Sequence, residues 1–178
     1  MLILISGCSG SGKNTIINKL IENNSNLVQL KSCTSRPKLE RDEEKNPYIH
    51  ISKEEFEEKI KNNELFEYEE VHGNYYGILK ETINDVIKSE KDYIKDIGVL
   101  GQKNMVNRLG NKVKIVSIYL DVPKQELIER LKLRGEKEIE KRLARFDFEN
   151  AHRPNYNLII QNNDLDKTIQ IIENLIKK

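Results

Sequence analysis

The chain has 178 residues, of which 33% are charged, and its 30 basic and 29 acidic side chains leave a net charge of +1. This balance gives no electrostatic reason to expect a nucleic-acid or membrane-surface partner. The length fits one domain with a substantial core, and no apolar run approaches the length needed to span a membrane.

The first predicted element is a strand that runs into a glycine-rich turn and a helix. Residues 2–5 are all apolar, which predicts a strand buried on both faces. Met1 precedes it directly and leaves no room for a signal peptide, so we expect a cytoplasmic protein. Apolar residues at 16, 17, 20 and 21 recur at helical spacing. The turn between strand and helix reads Gly7-Cys8-Ser9-Gly10-Ser11-Gly12-Lys13.

Strand, Gly-x-x-x-x-Gly-Lys and helix together form the context of a phosphate-binding loop. Its glycines allow backbone N–H groups to converge on an anion, and Lys13 adds a full positive charge near the β- and γ-phosphates. Asn14 stands where Ser or Thr usually offers a hydroxyl to Mg²⁺, so either Asn14 or the neighbouring Thr15 is expected to serve the metal. We predict ATP and Mg²⁺ as cofactors, against the alternative of a glycine-rich turn without a ligand. Cys8 is either a reactive thiol or a small residue that fills the loop.

Residues 32–89 differ from their surroundings. Strand candidates, residues 65–71 among them, flank a charged helix with a capping box, Ser52 followed by Glu55. A second helix is predicted from about Leu79. This pattern is typical of a mixed α+β subdomain inserted into a larger fold.

The remainder of the chain alternates strands and helices. Strand-like stretches are predicted at residues 92–97, 113–120 and 156–160. Each precedes an apolar pattern with helical spacing, which favours a parallel sheet covered by helices on both faces. The predicted fold class is therefore α/β, a three-layer α/β/α phosphate-loop fold with an inserted acceptor-binding subdomain.

Residues 134–142 are polar and carry arginines at both ends, which predicts a short lid. Phosphoryl transfer depends on positioning, charge neutralisation and exclusion of water by closure. A phosphate-loop core, an inserted subdomain and an arginine-bearing lid are the layout that a nucleotide kinase needs.

The chain also resembles the guanylate kinase family over nearly its whole length. The most specific stretch is Gly73-Asn74-Tyr75-Tyr76-Gly77, and further matching pieces follow in the family's order: Ser32-Cys33-Thr34-Ser35-Arg36-Pro37, Glu67-Tyr68, Arg134-Gly135, Lys141-Arg142-Leu143 and Asn162-Asn163-Asp164. The resemblance implies one domain over residues 1–178. Its core would be residues 1–31 and 90–178, its acceptor-binding subdomain residues 32–89 and its lid residues 134–142.

The resemblance also implies a role for each matching residue. Arg36, Tyr48 and Tyr76 would hold the acceptor phosphate, which suits a guanidinium fork and two uncharged donors. Ser32 and Glu67 would read guanine. The remaining roles concern transfer and the donor: Asp96 near the phosphates and the Mg²⁺ water shell, Arg134 and Arg142 on the transferring group, and Asn162 near the donor adenine.

Four further positions depart from the family pattern. The second phosphate-holding arginine falls on Leu39, flanked by Lys38 and Arg41, and the family's glutamine falls on Leu100. Ile78 and Gly98 replace polar residues that the family directs at guanine. Each lost hydrogen bond costs about 1–3 kcal/mol if a polar group is left unpaired. The sequence therefore predicts poor affinity for GMP, and predicts that Ile78→Ser with Gly98→Asp improves it.

Three functions remain open on the sequence. The first is a kinase that transfers the γ-phosphoryl group of ATP to a nucleoside monophosphate, GMP or dGMP. The second is a phosphate-loop kinase for another small phosphorylated acceptor, and the third is a non-catalytic guanylate-kinase-like binding module. The complete phosphate loop disfavours the third. No nucleic-acid or membrane partner is expected, and no oligomeric state follows from the sequence.

Overall fold

Strand β1 (Leu2–Ser6) is buried along its whole length and lies at the centre of a five-stranded sheet. The computed structural model describes residues 1–38, 48–71 and 73–177. The sheet has the order β2-β7-β1-β8-β9 and all its pairings are parallel. Its other strands are β2 (Leu27–Gln29), β7 (Asp92–Asp96), β8 (Ile115–Asp121) and β9 (Leu158–Gln161).

Helices cover both faces of this sheet. They are α1 (Lys13–Asn23), α3 (Lys80–Lys88), α4 (Val99–Leu109), α5 (Lys124–Leu133) and α8 (Leu165–Ile176). Ile3 and Ile5 of β1 pack into one apolar cluster with residues of α1 and α8. Leu2 and Leu4 point to the other face and pack with residues of α3 and α4. The side chains of β1 alternate between two covered faces, as in doubly wound sheets, and the predicted three-layer fold is confirmed.

A second sheet contains four strands in the order β4-β3-β6-β5. They are β3 (Ser32–Thr34), β4 (Tyr48–His50), β5 (Leu65–Val71) and β6 (Asn74–Leu79), with one parallel and two antiparallel pairings. Helix α2 (Lys53–Lys61) packs on this sheet through Phe56, which is fully buried with Cys33 and Leu65. The capping box is confirmed, because Ser52 and Glu55 each accept a hydrogen bond from the other's backbone N–H. This sheet is the inserted mixed subdomain of the predicted fold.

Two of the predicted strands begin two residues later than expected. Val113 is still bonded to the end of α4, through its N–H and the carbonyl of Leu109, so β8 begins at Ile115. Tyr156 follows a 3₁₀ turn (Arg153–Asn155) and packs against Tyr119 with ring centres 5.3 Å apart. Apolarity at these two positions reflects packing beyond the strand ends.

The predicted lid segment contains a turn and the start of a short helix. Gly135 has φ 74°, a left-handed conformation that glycine adopts readily, and it ends α5. Helix α6 (Ile139–Leu143) follows and buries Leu143 against α5 residues, and α7 (Phe146–Ala151) comes next. The segment is thus tied down at its C-terminal end. Within the described ranges, no helix has the length and apolar character needed to cross a bilayer.

Candidate active site

The phosphate loop connects the end of β1 to the start of α1 at the carboxyl edge of the parallel sheet. Gly10 and Gly12 have φ values of 89° and 93°, which disfavour residues with a Cβ. Gly12 is the N-cap of α1, and no side chain caps that end. The first N–H groups of α1 are therefore available to an anion, at the positive end of the helix dipole.

Lys13 folds back over this loop. Its Nζ donates to the carbonyl of Gly7 at 2.6 Å and to that of Cys8 at 3.1 Å. These bonds place the ammonium group above the loop, at the position where it can meet a bound phosphate chain.

Asn162 supports the loop from behind. Its Nδ2 donates to the carbonyl of Ser11 at 2.7 Å, and its Oδ1 accepts from the hydroxyl of Thr168 at 2.9 Å. The residue is only 3% exposed, so both ends of its amide are engaged inside the protein. Asn162 therefore positions the loop through its side chain. It also lines the cavity beside the start of α1, so its predicted place near the donor adenine stays a prediction.

Cys8 fills the loop. Its thiol is buried and lies 3.6 Å from the hydroxyl of Tyr119. Burial, reinforced by the charge of Glu149, raises the pKa of Cys8 to about 12. A thiol with this pKa stays protonated and unreactive at neutral pH, so the structure supports the loop-filling alternative.

Two cavities meet at the loop. One extends toward the second sheet and is lined by Ser32, Glu67, Tyr76 and other residues; the second extends along the start of α1. The two share four lining residues: Ser9, Lys13, Tyr48 and Asp96. We call them the acceptor cavity and the donor cavity. A group transferred between ligands in the two cavities would pass beside these four side chains.

The donor cavity has a volume of about 530 Å³, a size typical of small-molecule sites. Asn14 and Thr15 line it and are both exposed. Arg134 also lines it, together with Arg130. Arg130 donates to Glu126 at 2.7 Å and to the carbonyl of Asn162 at 2.6 Å, which fixes its guanidinium at the cavity wall.

The three predicted phosphate-holding residues form one contiguous set. The guanidinium of Arg36 lies 5.4 Å from the centre of the Tyr48 ring, and the Tyr48 and Tyr76 rings meet edge to face at 5.6 Å. Tyr48 and Tyr76 line the acceptor cavity, and Arg36 lies over the Tyr48 ring. The structure therefore brings together residues from three segments of the second sheet.

Asp96 ends β7 and joins the two sheets. Its Oδ2 accepts from the hydroxyl of Tyr48 at 3.2 Å, and its Oδ1 lies 3.5 Å from Nζ of Lys95. Burial, with the charge of Asp96 as the next cause, raises the pKa of Tyr48, so that its phenol remains a neutral donor. Lys95 is only 2% exposed, which is rare for a lysine without a functional or paired role.

Glu67 faces the acceptor cavity from β5. Its Oε2 is buried and has no hydrogen-bond partner among the described residues. Burial, followed by the charge of Glu69, raises the pKa of Glu67. A buried carboxylate oxygen without a partner indicates a place where a ligand donor fits. Ser32, at the start of β3, is also buried in this wall.

Glu136 holds both lid arginines. Its Oε2 accepts from Nε of Arg142 at 3.0 Å and lies 4.0 Å from Nη2 of Arg134. Burial opposes the charged form, but the N–H of Glu138 and the Arg142 guanidinium together keep the pKa of Glu136 below its usual value. Arg142 lines the acceptor cavity and Arg134 the donor cavity, so one carboxylate connects the two sides.

The departures from the family pattern have different structural settings. Leu39 and Arg41 lie outside the described residues. Ile78 is 1% exposed and packs in the apolar cluster beneath α3 and α4, whereas Leu100 is 40% exposed. Ile78 is therefore a core residue in this chain, and a serine there would place a hydroxyl in an apolar environment.

Five charged residues of the cavities received no role in the sequence analysis: Glu69, Lys95, Arg130, Arg145 and Glu149. Glu69 follows Glu67 by two residues on a strand, so both carboxylates face the same side, and this spacing is visible in the sequence. Lys95 lies inside the predicted strand at residues 92–97, where a charged residue is a second detectable signal. Arg130 and Arg145 lie in charged segments whose inward-facing members only the structure identifies.

Comparisons with known proteins agree with this geometry. The family model described as guanylate kinase matches residues 1–178. A guanylate kinase of Bacteroides thetaiotaomicron is 37% identical, covering 99% of this chain and 90% of that protein. A guanylate kinase of Mycoplasmoides gallisepticum is 38% identical, covering 100% and 92%.

A solved structure extends the agreement to three dimensions. The crystal structure of guanylate kinase from Anaplasma phagocytophilum is similar with a TM-score of 0.75 and 26% identity, covering 99% of this chain and 84% of that chain. The family model matches the entire sequence, and relatives are more than 30% identical over nearly its full length. These matches agree with the phosphate loop, the two cavities and the second sheet of the structure. The chain belongs to the guanylate kinase family.

Proposed function

We propose that this protein transfers the γ-phosphoryl group of ATP to GMP or dGMP, producing ADP and the corresponding diphosphate. The observation that carries the proposal is the meeting of the two cavities at Ser9, Lys13, Tyr48 and Asp96. One cavity opens on a phosphate loop, and the other contains a buried carboxylate with an unpartnered oxygen.

ATP binds in the donor cavity. The N–H groups at the start of α1 and the ammonium of Lys13 hold its β- and γ-phosphates. Arg134 adds positive charge on the opposite wall. Because Arg130 is held by Glu126, it serves to shape this wall and contributes less net charge.

The residues at the meeting point suit a Mg²⁺ ion that is bound chiefly by substrate. Mg²⁺ keeps several waters and takes one or two protein oxygens beside substrate phosphates. Asp96 offers the buried Oδ1, which has no hydrogen-bond partner among the described residues and lies 3.5 Å from the Lys95 ammonium. Asn14 and Thr15 offer an amide oxygen and a hydroxyl at the donor wall. When bound, the ion neutralises charge on the transferring phosphates.

GMP binds in the acceptor cavity. Tyr48 and Tyr76 line this cavity and hold its phosphate, with Arg36 adding positive charge from beside the Tyr48 ring. The Tyr48 hydroxyl donates to Asp96 at 3.2 Å in this structure and turns its hydrogen to the phosphate when GMP binds. Glu67 accepts hydrogen bonds from the ring N–H and amino group of guanine, and Ser32 completes the base contact. Adenine presents a ring acceptor at the same edge, which a carboxylate repels, so AMP is the poorer acceptor.

The transfer step needs no general base. A phosphate oxygen of GMP is already ionised near neutral pH, since the second phosphate pKa is about 6. That oxygen forms a bond to the γ-phosphorus while the bond between this phosphorus and the β,γ-bridging oxygen breaks, and the electron pair leaves with ADP. Lys13 and Arg142 stabilise the charge that spreads over the transferring group.

An acceptor panel tests the proposal. Purified protein is supplied with ATP and Mg²⁺ and, in turn, with GMP, dGMP, AMP, CMP and UMP, and diphosphate formation is measured. We expect GMP and dGMP to be phosphorylated far faster than the others. The Lys13→Ala variant, purified in parallel, controls for contaminating kinases. Failure with both guanine nucleotides, with turnover of another phosphorylated acceptor, would overturn the assignment.

A further inference from the structure

Glu69 lies in the acceptor cavity, directly over Gly98. A Cβ built on Gly98 would lie 2.8 Å from Oε2 of Glu69, closer than real Cβ contacts come. Glu69 is on β5 in the second sheet, and Gly98 is the N-cap of α4 in the parallel sheet layer. The carboxylate therefore crosses from one sheet to fill the space that a side chain at residue 98 would take.

The backbone at Gly98 does not itself require glycine. Its φ and ψ are −68° and 161°, an extended conformation that any residue adopts. What a side chain at this position would meet is the Glu69 carboxylate. Glycine at residue 98 therefore leaves the space that the Glu69 side chain occupies.

A second glutamate of β5 lies against a second glycine of α4 in the same way. Glu67 lies against Gly101 in α4, where a Cβ would be 2.7 Å from Oε1 and 2.9 Å from Oε2. Glu67 and Glu69 share one face of β5, and Gly98 and Gly101 lie three residues apart at the start of α4. Two carboxylates of one strand therefore lie against two bare positions of one helix, where the helix dipole favours negative charge.

Arg145 fixes the orientation of Glu69. Its Nη2 donates to Oε1 of Glu69 at 2.7 Å, which leaves Oε2 on the side of Gly98. Its Nε is 4.0 Å from Glu149, and its guanidinium lies 5.3 Å from the centre of the Phe148 ring. These contacts restrict the Arg145 side chain, and Arg145 in turn fixes the position of the Glu69 carboxylate.

We propose that Glu69 supplies the second carboxylate of the base pocket, in place of a side chain at residue 98, and accepts a hydrogen bond from the 2-amino group of the guanine ring. Arg145 is its positioning residue. This inference rests on the proposed function and names the residue that confers selectivity within that site.

The chemistry of guanine explains why two acceptors suit this wall. Its Watson–Crick edge carries a ring N–H and, beside it, an amino group with two hydrogens. Glu67 takes the ring N–H and one amino hydrogen, and a second carboxylate can take the other. Arg145 offsets the charge of Glu69, which lowers the repulsion between the two carboxylates.

The arrangement reverses the expectation drawn from the sequence at Gly98. An aspartate there would force the Glu69 carboxylate away from Gly98, against its hydrogen bond to Arg145, and would place a third carboxylate beside two others. Gly98→Asp is therefore expected to weaken GMP binding in the wild-type background. In the Glu69→Ala variant the space beside Gly98 is empty, so Gly98→Asp in that variant is expected to restore GMP binding.

The test compares GMP with inosine monophosphate, which is the same nucleotide without the 2-amino group. We expect Glu69→Ala to lower the ratio of kcat/KM for GMP to that for inosine monophosphate by about tenfold, the effect of one hydrogen bond to a charged group. The KM for ATP should not change. Glu70→Gln, an exposed neighbour on the opposite face of β5, is the matched control and should leave the ratio unaltered.

Three further variants make the test decisive. Gly98→Asp alone should raise the KM for GMP, and Glu69→Ala combined with Gly98→Asp should recover at least half of the lost preference on a logarithmic scale. Arg145→Met should raise the KM for GMP with little change in kcat, and Arg145→Lys should retain part of the affinity. Glu69→Gln replaces Glu69→Ala if thermal unfolding shows that the alanine variant is not folded.

The inference is overturned if the ratio is unchanged in Glu69→Ala and Glu69→Gln, or if Gly98→Asp improves GMP use in the wild type. Those outcomes differ from failure of the proposed function, in which the wild-type protein itself does not phosphorylate GMP. A loss of activity that is equal for both nucleotides, with no rescue by Gly98→Asp, would assign Glu69 a structural role and would also overturn the inference.

Discussion

Lys13 is a single side chain on which both cavities depend, because it lines each of them and lies over the phosphate loop. Lys13→Ala removes a full charge from the transferring phosphates. We expect kcat to fall by at least about 100-fold, comparable to the loss of one preorganised electrostatic donor at a transition state. Steady-state kinetics with saturating ATP and GMP measure this effect.

Lys19→Ala is the matched control for Lys13, since Lys19 is an exposed lysine of the same helix paired only with Glu22. Its kcat should equal that of the wild type. Wild-type turnover in the Lys13→Ala protein would contradict the placement of the donor phosphates.

We expect Arg36 to act on the acceptor alone. It packs on Tyr48, on the side of the second sheet, whereas the proposed ATP site is the phosphate loop at the start of α1. Arg36→Ala should raise the KM for GMP by at least about tenfold, the scale of one charge-assisted hydrogen bond, and the KM for ATP by much less. Equal changes in the KM for GMP and the KM for ATP would show that Arg36 does not act on the acceptor alone.

At the scale of elements, the lid segment is organised around Glu136, which contacts arginines directed at different cavities. We expect Arg142→Met to lower kcat with little change in either KM, because charge that reaches the phosphates on closure acts on the transition state. Lys141→Met, which removes only an exposed contact to Glu138, is the control. A change confined to the KM for GMP would instead make Arg142 part of the acceptor clamp.

Ile78 of β6 stands where the family has a polar residue directed at guanine, but in this structure it is a core residue. Ile78 is buried among apolar residues, so Ile78→Ser removes methyl groups and introduces an unpaired hydroxyl. We expect the free energy of unfolding to fall by about 3 kcal/mol, as in large-to-small core substitutions. Denaturant titration measures this loss, and Ile49→Ser, at a 46% exposed strand position, should cost much less. If Ile78→Ser left the free energy of unfolding unchanged and improved GMP binding, residue 78 would be a guanine contact, as the resemblance implies.

At the scale of the whole molecule, the two cavities carry different titratable groups, and Glu67 lines only the acceptor cavity, so we expect the two substrate sites to respond differently to pH. Burial, and next the charge of Glu69, raises the pKa of Glu67. As pH falls through that pKa, which lies above the ordinary glutamate value of about 4.3, the carboxylate takes a proton and loses its role as acceptor for guanine. The KM for GMP should therefore rise on acidification before that for ATP.

The Glu67→Gln variant isolates this effect, because the GMP phosphate still titrates in it while residue 67 does not. Its KM for GMP should be high at every pH and should lack the acidic rise attributable to Glu67. An identical pH profile in wild type and variant would show that Glu67 does not titrate in the site.

The sequence by itself determined the architecture and the phosphate loop. The phosphate loop is local: its glycines, Lys13 and the flanking strand and helix are adjacent along the chain, so period and composition specify them. The capping box at Ser52 and the strand at Leu65–Val71 were predictable for the same reason.

Only the tertiary structure decided which charged residues face the acceptor cavity. Glu69, Gly98 and Arg145 come from three elements that are distant in sequence, and their relation depends on how β5 packs against α4 and on where α7 begins. Hydrophobic periodicity indicates which face of an element is buried, but it does not specify which element lies opposite. A glycine that looked like a lost polar contact is therefore, in three dimensions, the space in which a neighbouring carboxylate fits.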